Sequence, residues 1–287
     1  MTVLVLGATG KTGRPVVDAL RARGVKVRAA SRNPAPTADG VEAIHFDWAD
    51  RTTWPSVLTG VHAMYVIGPY AEPNPTALFD EFLSAATQVN RIVLLSVLGA
   101  DRLPAVVPMA DWESSLRATG KQWTILRPNW FQQNFGEGAF TETLRAGSPL
   151  QLPAADAALA FIDTRDIAEV AAIALTEEPH TDELHTLTGP TALTHTQALE
   201  ILGKAANRPL TYLPLTPHDF AQQLRTAGLP ETPIIWQLGL FTLIRNGENA
   251  LVTDTVERIT GHPPRPLESY AREHADAWQA PHPTPPR

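Results

Sequence analysis

The sequence predicts an α/β protein: a Rossmann-like, doubly wound parallel sheet with a smaller C-terminal α/β lobe that faces the substrate. Short apolar runs alternate with helical stretches through the first half of the 287 residues, which is typical of strands covered by helices on both faces. A glycine-rich segment joins the first apolar run to the first helical one. Hydrophobic residues make up 44% of the chain and charged residues 18%, so the chain can bury a large core.

The predicted strands of the first half are short, rich in β-branched residues and bounded by Gly, Pro or Asp. They span residues 2–6, 26–30, 43–46, 63–67, 91–96 and 123–126. The helices predicted between them span residues 12–23, 52–58, 75–88 and 112–119. Right-handed crossovers between such units give a doubly wound sheet, which binds ligands at the carboxyl ends of its strands.

The second half of the chain is less regular. Its predicted helices span residues 134–145, 166–177, 194–206 and 217–226, and its short strands span residues 160–162 and 184–187. We interpret Asp-Thr-Arg-Asp at residues 163–166, which opens the second of these helices, mainly as a cap. We expect residues 1–150 to form the dinucleotide-binding part and residues 151–280 a smaller lobe of the same unit. Residues 281–287 contain four prolines, which predicts a disordered tail.

Composition excludes several classes of function. The chain has no cysteine, which excludes disulfides, thiolate metal sites and a cysteine nucleophile, and its histidines show no metal-ligand spacing. The net charge of −7 without a basic run argues against nucleic-acid binding. We expect no signal peptide, and no apolar run is long enough to span a membrane. We therefore expect a cytoplasmic monomer or homodimer with a small-molecule partner, no membrane contact and no metal.

The strongest motif is the loop Gly7-Ala8-Thr9-Gly10-Lys11-Thr12-Gly13. Gly7 allows a tight turn, Gly10 lets the backbone approach a pyrophosphate, and Gly13 lets the helix pack against the strand. The N-terminus of the following helix offers free N–H groups to an anion. This strand–loop–helix context indicates a dinucleotide, and no Gly-Lys-Ser/Thr triplet of a Walker A loop is present.

The end of the second predicted strand favours NADP(H) over NAD(H). NAD-binding proteins usually carry Asp or Glu there, where it holds the ribose 2′-hydroxyl. This chain reads Ser31-Arg32-Asn33 instead. Arg32 can hold a 2′-phosphate through a bidentate contact, and we expect Ser31 and Lys11 nearby. The alternative is that Arg32 is a solvated surface residue.

Four segments together resemble the NmrA-like branch of atypical short-chain dehydrogenases, and the similarity extends over nearly the whole chain. The first two are the glycine loop and Ser-Arg-Asn-Pro at residues 31–34. The others are Phe-Asp-Trp at residues 46–48 and Leu-Arg-Pro-Asn-Trp-Phe at residues 126–131. Together with Gly-Leu-Pro at residues 228–230, the last two segments are most similar to the ergot-alkaloid dehydrogenase group. The resemblance implies NADPH-dependent reduction of the kind that this group performs on iminium ions in secondary metabolism.

The resemblance also implies cofactor contacts outside the glycine loop. Asp47 and Trp48 are expected beside the adenine, and Ser96 on the nicotinamide side. The groove between them would be lined by Ile67, Gly68 and Pro69, and the wall near the nicotinamide by Pro128 and Phe131. For Trp48, Trp130 and Phe131, ordinary core packing is the competing interpretation.

The usual catalytic dyad of short-chain dehydrogenases, Tyr-x-x-x-Lys, is missing from the sequence. None of the four tyrosines has a lysine four residues later. By register, Ala105 and Met109 stand where the polar pair would be. Reduction of a ketone makes an alkoxide, which needs a proton donor. An iminium ion is neutralised by hydride alone and a quinone takes its protons from water, so the site favours these acceptors or a conjugated alkene.

Several side chains after the carboxyl ends of the sheet are candidates for substrate contact. They are Tyr70, Trp112, Trp130 and Asn134, with Trp236 and Phe241 as further aromatic candidates. Tyr70 is also the candidate proton donor, with Asp111 and His45 as alternatives; the catalytic residues are otherwise unassigned. Two other functions stay open: a non-catalytic redox sensor that binds dinucleotide, like the name-giving member of the family, and a non-redox isomerase or cyclase on the same scaffold.

Overall fold

Seven parallel strands form the central sheet of the computed structural model, which describes residues 1–34, 39–177 and 181–279. With two further strands outside this sheet, the described strands are β1 (Thr2–Leu6), β2 (Lys26–Ser31), β3 (Val41–His45), β4 (Ala63–Ile67), β5 (Arg91–Leu95), β6 (Gln122–Pro128), β7 (Leu150–Leu152), β8 (Glu183–Leu187) and β9 (Tyr212–Pro214). The sheet order is β3-β2-β1-β4-β5-β6-β8, while β7 and β9 pair separately. The order reverses between β1 and β4, where doubly wound sheets form their ligand crevice.

Helices cover both faces of this sheet. Together with the helices of the lobe, they are α1 (Gly13–Ala22), α2 (Trp54–Leu58), α3 (Pro75–Ala85), α4 (Met109–Ala118), α5 (Ala139–Arg145), α6 (Thr164–Thr176), α7 (His195–Ala205), α8 (Pro217–Thr226), α9 (Glu231–Arg245), α10 (Thr255–Thr260) and α11 (Leu267–Glu273). Alternate residues of β1 point to opposite faces. Leu4 and Leu6 pack with α2, α3 and α4 in one apolar cluster, and Val3 and Val5 pack with α1, α6 and α10 in another. The predicted doubly wound architecture is confirmed.

The lobe has a third apolar core, built from the elements around β7 and β9 together with α7, α8, α9 and α11. The chain beyond residue 150 also completes the sheet, because β8 pairs with β6 and α6 packs against α1. The residues beyond 150 therefore supply the edge strand of the sheet as well as most of the third apolar core. No described helix combines the length and the apolar character needed to cross a membrane.

Several predicted elements of the second half were wrong. Residues 160–162 form no strand: Ile162 makes an isolated bridge to Phe131, and Asp163 at once caps α6. The predicted helix 134–145 begins only at Ala139. Five elements were not predicted from the sequence: β7, β9, α9, α10 and α11. The two strands have three residues each, and α10 and α11 are short. Helix α9 is apolar on most sides and so shows no amphipathic period. The predicted tail 281–287 lies outside the described residues.

Candidate functional site

A cavity of about 560 Å³ opens at the carboxyl ends of β1, β2, β4 and β5. Most residues predicted to hold a cofactor line it: Gly7, Thr9, Gly10, Lys11, Thr12, Ser31, Arg32, Asn33, Asp47, Trp48, Ile67, Gly68, Pro69, Ser96 and Phe131. Of the predicted substrate residues, Tyr70, Trp112 and Trp236 line it as well. We call the part at the glycine loop and β2 the outer end, and the part around Ser96, Tyr70 and Trp112 the inner end.

The glycine loop forms the floor of the outer end. Gly7 has φ +67° and accepts a hydrogen bond from the backbone N–H of Gly10 at 2.9 Å. A Cβ atom on Gly13 would lie 2.2 Å from the carbonyl oxygen of Gly7, so only glycine lets α1 start this close to β1. A Cβ atom on Gly10 would lie 3.2 Å from the same oxygen. No side chain caps the first turn of α1, and this turn has no acidic residue. The helix terminus is therefore open to an anion.

The end of β2 provides donors of hydrogen bonds at the same end of the cavity. Ser31 is buried, and its hydroxyl has no hydrogen-bond partner among the described residues. The Arg32 side chain is exposed, and within the described ranges it makes no ion pair. The Nδ1 atom of His45 lies 2.9 Å from the backbone oxygen of Arg32 and fixes the main chain there. A buried hydroxyl without a partner is costly, so this site is suited to an anionic ligand that accepts from both side chains.

The Lys11 side chain makes its hydrogen bonds to the segment that follows β6. Its ammonium group donates to Asn134 Oδ1 at 3.0 Å and to the backbone oxygen of Glu137 at 3.1 Å. Burial lowers the pKa of Lys11, and the nearby Glu137 carboxylate partly offsets this effect. Lys11 therefore ties the glycine loop to residues 134–137, and Asn134 serves as its partner without forming part of the cavity wall.

Asp47 and Trp48 follow β3 at the side of the outer end. Trp48 packs edge-on against Phe82 at 4.9 Å between ring centroids and against Phe46 at 5.2 Å. The Asp47 carboxylate accepts from the backbone N–H of Ala49 at 3.0 Å, which fixes the turn. Trp48 thus both lines the cavity and packs on the core, so the two interpretations of this residue are compatible.

Aromatic rings form the wall of the inner end. The Tyr70 ring lies 5.4 Å from that of Trp236 and 6.5 Å from that of Trp112. The Trp112 ring lies over Gly68, where a Cβ atom would come within 2.4 Å of it, and its indole N–H donates to the backbone oxygen of Pro75 at 3.2 Å. Burial raises the pKa of Tyr70, and Arg32 partly offsets this effect. The phenol of Tyr70 therefore stays protonated at neutral pH.

A buried ion-pair network lies behind this wall. Ser96 donates its hydroxyl proton to Glu113 Oε1 at 2.6 Å, and Glu113 on α4 is only 1% exposed. Arg127 on β6 donates from Nε to Oε1 at 2.8 Å and from Nη2 to Oε2 at 2.7 Å. These hydrogen bonds to Glu113 raise the pKa of Arg127. The network fixes α4 against β5 and β6 and so positions Trp112, the residue that precedes Glu113.

Some residues predicted for the site lie elsewhere. Trp130 packs on Phe241 at 5.0 Å within the core of the lobe, and neither residue lines the cavity. Gly13 and Pro128 support the wall through the backbone: Gly13 through its closeness to Gly7, and Pro128 by accepting from the N–H of Leu98 at 3.0 Å. We therefore expect these four residues to affect a ligand through packing.

Several residues that line the cavity were not predicted from the sequence: Phe46, Ala71, Glu72, Leu95 and Val97. Met109, placed by register at the position of the missing dyad, lines the cavity, whereas Ala105 is exposed away from it. Glu113 was not identified as a candidate, and only its place next to Trp112 could have indicated it. Among the described residues, no group of three or more His, Cys, Asp or Glu side chains could hold a metal ion.

Known proteins resemble the chain along nearly its whole length. The NAD(P)H azoreductase of Xenophilus azovorans is 30% identical over 97% of this chain and 99% of its own. The agroclavine dehydrogenase of Claviceps purpurea is 30% identical over 98% of this chain and 99% of its own. The NADPH-dependent quinone oxidoreductase of Escherichia coli, solved with NADPH, is 26% identical with a TM-score of 0.81, covering 94% of this chain and 99% of its own.

A match to the sequence model of a protein family agrees with these individual similarities. The model of the NmrA-like family matches residues 1–251. This range includes the glycine loop, the end of β2 and every residue that lines the cavity. The chain belongs to the NmrA-like family.

Proposed function

We propose that the chain is an NADPH-dependent reductase of a small, electron-poor molecule: an iminium ion, a quinone or a conjugated alkene. One observation supports this most directly: a single cavity joins an anion-binding outer end to an aromatic inner end. The relatives named above, a quinone oxidoreductase, an azoreductase and an agroclavine dehydrogenase, support the same class of reaction. The ergot-alkaloid resemblance further suggests a role in secondary metabolism.

The outer end fits NADP(H). The open N-terminus of α1 and the Gly10 backbone would hold the pyrophosphate. The unpartnered Ser31 hydroxyl and the Arg32 guanidinium would hold the 2′-phosphate, since both donate to phosphate oxygens. Asp47 and Trp48 would lie beside the adenine, and Ser96 and Phe131 on the nicotinamide side. When bound, NADPH supplies a hydride.

The inner end lacks the usual means of protonating a product. The proton of the Ser96 hydroxyl and that of the Trp112 indole are already donated, to Glu113 and to Pro75. The indole N–H of Trp236 is buried without an acceptor among the described residues, and an indole is no acid at neutral pH. Tyr70 is the one phenol of the wall that the structure describes. The chain's own contribution is then to bind and orient a planar acceptor between aromatic faces.

The test has two steps. Quenching of tryptophan fluorescence would first measure the binding of NADPH and NADH, because Trp48, Trp112 and Trp236 line the cavity. NADPH oxidation would then be followed with quinones, cyclic iminium salts and conjugated enones, and with a simple ketone as the matched control. We expect turnover with at least one of the first three classes and none with the ketone.

Three results would contradict this proposal. Reduction of the ketone at a comparable rate would show a proton donor in the site. Absence of binding would show that the cavity is no dinucleotide site. Tight NADPH binding without oxidation by any acceptor would favour the alternative of a non-catalytic sensor.

A further inference from the structure

Ser96 faces the cavity with both of its hydrogen-bond donors already in use. Its backbone N–H donates to the backbone oxygen of Leu126 at 2.8 Å, and its hydroxyl donates to Glu113 Oε1 at 2.6 Å. The second distance is typical of a hydroxyl that donates to a carboxylate. A hydroxyl has one proton and two lone pairs. Ser96 can therefore accept a hydrogen bond from a ligand but cannot donate one.

The protein enforces this polarity from behind the wall. Besides the Ser96 hydroxyl, the carboxylate of Glu113 accepts two bonds from Arg127 and one from Arg117 Nη2 at 3.2 Å. Its negative charge is paired with two guanidinium groups, of which that of Arg127 is mostly buried. The carboxylate thus favours the orientation in which the Ser96 hydroxyl points toward it. Glu113 itself does not line the cavity, so it acts on a ligand through Ser96.

We propose that Glu113 is a positioning residue: it accepts the hydrogen bond from the only hydroxyl proton of Ser96. Ser96 is thereby left as an acceptor for the carboxamide N–H of a bound nicotinamide. This inference rests on the proposed function, because it requires the nicotinamide at the inner end. A primary carboxamide has two N–H donors, and one of them pairs with the Ser96 oxygen. The same polarity removes Ser96 as a donor to an oxyanion, which disfavours ketone reduction independently of the missing tyrosine–lysine dyad.

The inference is tested by binding, without turnover. Wild-type protein is titrated with NADPH and with reduced acetylpyridine adenine dinucleotide phosphate, in which a methyl ketone replaces the carboxamide. This analogue has the carbonyl oxygen but no N–H donor. We expect NADPH to bind about two- to tenfold more tightly, as for one neutral hydrogen bond. In Ser96→Ala the two affinities should become equal, whereas Ser114→Ala, which removes an exposed hydroxyl from α4, should keep the wild-type ratio.

Glu113→Gln separates positioning from simple support of the fold. An amide at this position can donate to Ser96 and release its proton toward the cavity, where it can bind the acetyl oxygen of the analogue. The ratio of affinities should then fall to one or below. A merely structural role of Glu113 would weaken the binding of both dinucleotides equally and leave the ratio unchanged.

The outcomes are distinguishable. Equal affinities in the wild type, or an unchanged ratio in Ser96→Ala, would overturn the inference while the cofactor site stands. Failure of the wild type to bind either dinucleotide would instead overturn the proposed function. Should Glu113→Gln fail to fold, the comparison of Ser96→Ala with Ser114→Ala still decides whether Ser96 accepts from the ligand.

Discussion

The outer end of the cavity comes mainly from one short stretch of chain, residues 7–33, whereas the inner end gathers residues from β4, β5, α4 and α9. At the outer end the backbone shapes the site, because Gly7, Gly10 and Gly13 set the path of the chain. At the inner end side chains shape the site, because Tyr70 and Trp112 form the wall. From this difference we expect the outer end to hold the dinucleotide in a general way and the inner end to select the acceptor.

The two ends should therefore respond differently to substitution. A change at the outer end should alter the binding of the dinucleotide with every acceptor alike. A change at the inner end should alter turnover and the choice of acceptor while the affinity for NADPH stays nearly constant. The predictions below test that separation.

The largest effect is expected from a pair of substitutions in the glycine loop. Gly13→Ala puts a methyl group 2.2 Å from the Gly7 oxygen, and Gly10→Ala puts one at 3.2 Å. We expect Gly13→Ala to lower the free energy of unfolding by about 2–4 kcal/mol, and Gly10→Ala to lower it by less than about 1 kcal/mol. Gly10→Ala should nevertheless weaken NADPH binding by about a hundredfold, because its methyl group blocks the approach of the pyrophosphate.

Urea unfolding and fluorescence titration measure the two quantities on the same samples. If folded Gly10→Ala protein bound NADPH as tightly as the wild type, the pyrophosphate could not lie on this loop. If Gly13→Ala were as stable as the wild type, close packing of α1 on β1 would not require glycine.

The second effect concerns the choice between NADP(H) and NAD(H). Arg32→Ala should weaken NADPH binding by about ten- to a hundredfold and leave NADH binding unchanged, because only the 2′-phosphate is lost as a partner. Lys11→Met is the matched control, since it removes a cation that Asn134 and Glu137 already hold. We expect Lys11→Met to change both affinities by similar factors. A change of the NADPH-to-NADH ratio in Lys11→Met as large as that in Arg32→Ala would show that Lys11 binds the phosphate.

The contrast between the two ends also explains how far the sequence could predict this structure. Strands β1 to β6 could be predicted from short apolar runs, and the glycine loop from the spacing of its glycines. The absence of a carboxylate after β2 favoured NADP(H) over NAD(H). In the lobe, α7 could be predicted because Thr194 and Gln197 form a capping box. By contrast, α9 gave no helical period, since its residues contact the wall through Trp236 and the core of the lobe through Phe241.

The network behind Ser96 could not be predicted, because its members come from three elements that only the fold brings together. From the sequence alone, a glutamate in the middle of α4 is expected to be solvated. The structure instead places Glu113 against Arg127 and Ser96. For the same reason Trp130 was a plausible wall residue from its position after β6, yet it packs in the lobe. Which face of a segment meets the cavity depends on packing between distant parts of the chain.

The smallest effect is expected from Tyr70→Phe, which tests whether the inner end needs a protein acid. The substitution keeps the ring against Trp236 and Trp112 and removes only the hydroxyl. We expect the turnover of a quinone or an iminium ion to fall by less than about threefold, since a required general acid is worth about a hundredfold or more. Tyr70→Ala, which also removes the ring, should lower turnover more than Tyr70→Phe, because the acceptor loses one aromatic face. NADPH affinity should stay within about twofold of the wild type in both variants.

The pH dependence gives an independent check on Tyr70. Because burial raises its pKa above the ordinary value of about 10, the phenol stays protonated from about pH 6 to 9. A donating Tyr70 would therefore show no loss of rate within that range and a decline only as the pH rises through its raised pKa. If Tyr70→Phe lost about a hundredfold in turnover with NADPH binding unchanged, and if that alkaline decline vanished with it, Tyr70 would be the proton donor. The inner end would then supply acid catalysis as well as shape, and the ketone excluded above would become a possible substrate.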